Sequence, residues 1–163
     1  MTTAVKTPTP AGLPAATLNR ILDEGYGPGA WYGPDLQAAV ADVNATDAFR
    51  RPAPGRHNIA EIALHHAFYV REVFKRLTGT EPKAFPLAGE DWFELADESR
   101  LSWNSIRETL GTAQQRLSEA AASIGAGKLE SPLAESERFD LAIGLTGHAA
   151  YHAGQIQLVK KLL

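Results

Sequence analysis

The chain has 163 residues, 44% of them hydrophobic and 21% charged, with a net charge of −3 and no cysteine. Such a length makes one domain with a real core the simplest reading, and the composition is ordinary for a soluble globular protein. The weak negative charge offers no field for a phosphate backbone, so nucleic acid is not an expected partner, and without cysteine there are no disulfides, thiolate ligands or cysteine nucleophile.

Residues 1–12 carry four Thr, two Pro and no periodic pattern. They read as a flexible leader without the apolar run of a signal peptide. No segment approaches the roughly 18 continuous apolar residues of a membrane span, so a cytoplasmic protein with no membrane partner is expected. A first helix is predicted over about 13–24, with Leu18, Ile21 and Leu22 turned inward. Gly25–Gly33 follows, a glycine-rich loop holding Tyr26, Trp31 and Tyr32. It lacks the GxxxxGK[ST] pattern of a phosphate cradle and reads as an aromatic-anchored turn. Pro34 opens a short helix with Leu36, Val40 and Val43 at i, i+4, i+7.

A long helix is predicted from Asn58, which with Glu61 has the spacing of a capping box. Ile59, Ile62, His66, Tyr69, Val73 and Leu77 continue it at helical spacing, and Thr78-Gly79 ends it. Residues 80–97, with Pro82, Phe85, Pro86, Trp92 and Phe93, form a long connection that serves either as a lid or as a cover over one end of the core. The next helix, about 98–124, presents Trp103, Ile106, Leu110, Ala113, Leu117, Ala120 and Ile124 as a bundle seam, and Gly125-Ala-Gly127 stops it. The last, about 137–162, carries Leu141, Leu145, His148, His152, Gln155, Val159 and Leu162 on its seam, with Lys160 and Lys161 in the final turn. Nothing reads as a strand. The expected fold is a single all-α domain over 13–163, an up-down four-helix bundle with an extra short helix after the first. Bundles of this kind often pair through their long helices, so a homodimer is the expected assembly, although no motif here encodes it.

All five histidines fall in two segments, His57/His65/His66 and His148/His152. On a helix, His148 and His152 lie one turn apart on one face, the separation at which two imidazoles share a metal ion. The seam has His148, His152 and Gln155 where Leu or Ile would be expected, and burying three polar groups on one stripe costs free energy unless each finds a partner. A hydrogen-bonded core histidine is the blander reading of any one of them. The motif is not the zincin one, because Ala149 stands where HExxH needs its Glu. A third ligand has to come from His57, His65 or His66. Periodicity favours His66, on the Ile59/Ile62/Tyr69/Val73 stripe; His65 lies about 100° away on the flank, and His57 sits at the helix entrance where a surface or capping role is simpler.

The stretch GRHNIAEIALHHAFYVREVFKRLTG from Gly55 to Gly79, with GHAAYHAGQI from Gly147 to Ile156 and the aromatic loop around Trp31 and Pro34, resembles the DinB/YfiT-like superfamily of metal-binding four-helix bundles. The family's second-helix pattern resembles I-W-E-[LIV]-x-x-H. Laid on Ile59 to His65, it makes His65 the ligand, with Ala60 where a Trp is common. The resemblance therefore implies a His65/His148/His152 site, with His66 as the alternative that the helical wheel alone selects. Glu61, Tyr69, Tyr151 and Gln155 are the flanking candidates. Glu61 reads as a helix cap or a supporting carboxylate, and Gln155 as an orienting amide or a bond to a neighbouring helix. The two tyrosines are core packing or hydroxyls facing a substrate, and Gly154 permits close helix packing. Arg71 and Arg76 read as solvated.

Three imidazoles would leave a divalent ion with open coordination, which suits catalysis more than structure. Such an ion acidifies a bound water or thiol, and an all-nitrogen set suits Zn, Ni, Fe or Co alike. Some members of the superfamily are S-transferases using a low-molecular-weight thiol such as bacillithiol or mycothiol. The resemblance thus implies a metal-dependent transferase acting on an electrophilic small molecule. Metal-dependent hydrolysis and a non-catalytic metal-binding or stress-response role are the alternatives, and no residue is assigned as catalytic.

Overall fold

The computed structural model describes residues 16–163; the expected leader over 1–12 and the start of the first predicted helix lie outside them. Among the described residues there are six helices and no strand: α1 (Thr17–Tyr26), α2 (Leu36–Ala41), α3 (Ala45–Phe49), α4 (Ile59–Thr78), α5 (Trp103–Gly125) and α6 (Glu135–Leu162). The fold is an all-helical bundle. α1, α5, α4 and α6 follow one another around a common core, each packed on two of the others, while α2 rests on α6 and α3 on α4. The short α3 was not foreseen. Asn44 starts it by accepting from the Asp47 N–H at 2.9 Å, the same side-chain cap that marks the start of α4.

Asn58 explains how α4 is set in place. Its Oδ1 accepts from the Glu61 N–H at 2.9 Å, while its Nδ2 donates to the carbonyls of Phe49 (3.1 Å) and Leu95 (2.7 Å). A serine or threonine would cap the helix but has no second donor for those two carbonyls. The reciprocal half of the expected capping box is absent: the Glu61 carboxylate turns away from Asn58 toward Arg51, His57 and the Leu95 N–H. Gly79 ends α4 at φ 68°, a left-handed conformation that favours glycine.

The backbone of Leu95 is thus held at both polar groups by buried side chains of α4. This closes the 80–97 connection over the core, where Phe93 and Leu95 are buried among α4 and α5 residues. The same connection carries Asp91 and Trp92 onto the histidines, as shown below, so it both covers the core and borders the site. Elsewhere α1 and α6 meet at close range. A Cβ on Gly25 would lie 2.9 Å from the Ala149 Cβ and 3.2 Å from the Thr146 Cα, so only glycine fits without displacing α6. Gly154, by contrast, faces open space, and the expected helix contact there is not formed among the described residues. Trp31 anchors nothing among the described residues: it is 93% exposed, and of the three loop aromatics Tyr26 packs against the core instead. No described helix is long and apolar enough to cross a membrane.

Candidate metal centre

Helix α4 is buried on every side from Ile59 to Ala67, and His65 emerges from this stretch toward α6. There its Nε2 lies 3.2 Å from the Nε2 of His148, which in turn lies 3.0 Å from the Nε2 of His152. The three ring nitrogens converge on one point, with all ligand atoms within 4.8 Å of one another. His65 and His152 are buried and His148 is half-buried.

The opposite ring nitrogens fix how two of these rings face. His65 Nδ1 lies 2.9 Å from the Asp91 carbonyl and 3.1 Å from its carboxylate. His152 Nδ1 lies 2.6 Å from Gln155 Oε1, and the Gln155 amide donates onward to the Tyr151 hydroxyl at 3.0 Å. A proton held on each Nδ1 by an oxygen acceptor leaves each Nε2 with a lone pair toward the centre. Asp91 reaches His65 from a left-handed backbone at φ 63°, a conformation that Asp tolerates better than most residues, and it also accepts from the Tyr69 hydroxyl at 3.1 Å. Trp92 stacks on His65 at 3.8 Å between ring centroids and on His57 at 3.7 Å.

The electrostatics keep the rings neutral. Burial, then the neighbouring His65, push His148 down to about 4; burial, then His148, push His152 down to about 4. Burial also lowers His65, against the opposing pull of Asp91. At neutral pH the three rings are therefore unprotonated, the state in which imidazole binds a metal. An ion about 2.0–2.1 Å from each nitrogen is accommodated by donors this close. Three convergent nitrogens, two with oxygen partners behind them, fit a divalent metal.

A model of the DinB superfamily matches residues 33–156, more than half of the chain. The chain belongs to the DinB superfamily. No curated protein and no solved structure is significantly similar to it.

In this DinB protein the other candidates fall as follows. His66 is fully buried beside the triad and outside it, its Nδ1 2.9 Å from His148 Nδ1. His57 lies at the rim, bonded to Glu61 rather than to the triad. Glu61, read from sequence as a cap or a supporting carboxylate, joins no other histidine. Burial would raise its carboxyl, but the bonds from Arg51, Leu95 and His57 outweigh that and hold it below the usual range. Gln155 bonds residues of its own helix, not a neighbouring one. Tyr69 and Tyr151 are not core residues: they are 36% and 63% exposed, with rings 4.9 Å from His148 and 5.1 Å from His152 respectively. Of the cations expected to be solvated, Arg71 instead donates to the Lys83 carbonyl and to Glu72.

Sequence reading missed Asp91 and Trp92 as members of the site. Both stand in the long connection whose length and aromatic content had marked it, but no local pattern says which of its residues reach the histidines.

Proposed function

We propose that this protein binds one divalent metal ion through His65, His148 and His152 and uses it catalytically, as a transferase that directs a low-molecular-weight thiol at an electrophilic small molecule. The convergence of three neutral Nε2 atoms carries the metal reading. Three protein donors, where structural zinc sites use four, support a catalytic role. When bound, the ion would supply Lewis acidity and lower the pKa of a thiol or water at its open side.

The chain's own residues do the rest. Asp91 and Gln155 fix the rings of His65 and His152. Trp92 shields one side of His65 with an apolar ring face. Tyr69 and Tyr151, exposed beside the triad, offer aromatic surface and hydroxyls to a bound small molecule. Glu61, engaged by Arg51, His57 and Leu95, is occupied in holding the connection.

The test is elemental analysis of protein purified without a histidine tag, followed by a conjugation assay with bacillithiol, mycothiol and glutathione against a panel of electrophiles. Wild type is expected to carry about one ion per chain. His65→Ala and His148→Ala should lose it and His66→Ala should keep it. Failure to take up Zn or Ni on reconstitution overturns the metal reading. Metal uptake without thiol transfer overturns the transferase; hydrolysis of esters or amides would then assign a hydrolase, and no turnover a non-catalytic metal-binding role.

A further inference from the structure

His66 is the least explained residue of the centre. It is fully buried, its Nδ1 meets His148 Nδ1 at 2.9 Å, and among the described residues its Nε2 has no hydrogen-bond partner. An unpaired buried donor or acceptor costs on the order of 1–3 kcal/mol, a cost that a leucine at this place would not carry.

Proton bookkeeping over the four rings gives the residue a purpose. If all three Nε2 atoms are to offer lone pairs to one ion, each neutral ring must carry its proton on Nδ1. For His65 and His152 an oxygen stands ready to accept that proton, from Asp91 and Gln155. For His148 the acceptor at hydrogen-bond distance is the ring nitrogen of His66. An imidazole accepts at Nδ1 when its own proton sits on Nε2, and in His66 that is the unpartnered atom.

We infer that His66 is a positioning residue: its Nδ1 accepts the Nδ1 proton of His148, selecting the His148 tautomer that presents Nε2 to a metal, and the unpaired Nε2–H of His66 is the cost of that selection. The inference rests on the metal reading above. Partners of this kind behind metal-binding histidines are commonly worth 10–100-fold in metal affinity. His66 thus helps hold the ion without touching it.

The experiment measures Zn affinity and the metal-free melting temperature for wild type, His66→Leu and His66→Asn, with His65→Ala as the ligand control. Leucine fills the space without an acceptor, whereas the Asn amide oxygen can stand where Nδ1 stood. His66→Leu should keep one Zn per chain but bind it roughly 10–100-fold more weakly. It should melt no lower than wild type when metal-free, and His66→Asn should recover most of the affinity. In the ¹H–¹⁵N spectrum of the Zn-loaded wild type, His66 should be the neutral Nε2–H tautomer. An unchanged affinity in His66→Leu, or an Nδ1–H tautomer at His66, overturns the inference alone. Loss of stoichiometric Zn matching His65→Ala makes His66 a ligand and overturns it too. No Zn uptake by wild type overturns the metal reading and this inference together.

Discussion

His148 and His152 each give up basicity on folding, His148 through burial and then the nearby His65, His152 through burial and then the nearby His148. Both fall from the ordinary histidine value of 6.5 to about 4. Between those values the unfolded chain binds more protons than the folded one, so stability rises with pH across the window and is lost as pH falls through it. The metal-free protein should therefore melt at progressively lower temperature from pH 6.5 down to pH 4. Glu61, held below its usual range, adds a loss of the same sign at the acid end. Melting curves in the presence of a chelator check this, and a His148→Leu/His152→Leu double variant should reduce the slope, leaving the share of His65 and His66, whose basicity burial also lowers. A slope unchanged in that variant would place the titrating groups elsewhere. At this same scale the helical wheel selects His66 where the convergent group holds His65, and the reason is burial. With every residue from Ile59 to Ala67 buried, α4 has no solvent face in that stretch for a wheel to contrast with its core face.

Among the elements, α4 and the connection that follows α4 are joined by two buried side chains, Asn58 and Glu61, that grip the Leu95 backbone. Glu61→Ala removes a carboxylate that is 1% exposed and leaves the partly exposed Arg51 unpaired, at a cost of about 2–3 kcal/mol. Urea denaturation measures that cost, and hydrogen exchange at the Leu95 amide should quicken as the segment loosens. A Leu95 amide that stays protected would mean the carboxylate does not hold the connection. The long helices were legible because their stop and start signals are local, from the Asn58 cap to the Gly79 turn. The face of α6 was less so. Its buried stripe runs through Ala142, Leu145, Ala149, His152, Ala153, Ile156 and Val159, so alanines define the packing side while Ile143, Leu158 and Leu162 stand exposed. A reading weighted toward large apolar residues places His148 at the centre of the seam, whereas it lies half-buried at the edge.

For the molecule as a whole, α1 meets the helix bearing two of the site histidines at Gly25, whose missing side chain lets Ala149 in. Gly25→Ala should cost about 1–3 kcal/mol, the usual penalty of overpacking, because the clash is with backbone as well as with a methyl group. Since Ala149 adjoins His148, the variant should also weaken metal uptake. The double variant Gly25→Ala/Ala149→Gly tests the cause: it should regain part of the stability, less the roughly 1 kcal/mol that glycine costs inside a helix. No recovery would trace the loss to something other than that contact. The resemblance to the family points to the histidines, but the close contact of Gly25 with Ala149 joins residues 124 positions apart in sequence, beyond the reach of any local pattern.

Trp92 has one more consequence. Of the three tryptophans, Trp31 lies in solvent and Trp103 is buried with its indole N–H bonded to the Val43 carbonyl, while Trp92 rests face to face on a proposed ligand ring at 3.8 Å. Metal binding at His65 should therefore change its emission. With Trp31 and Trp103 silenced as phenylalanine, Trp92 would serve as a built-in optical reporter, one expected to follow occupancy of the proposed centre without a substrate, a label or a turnover.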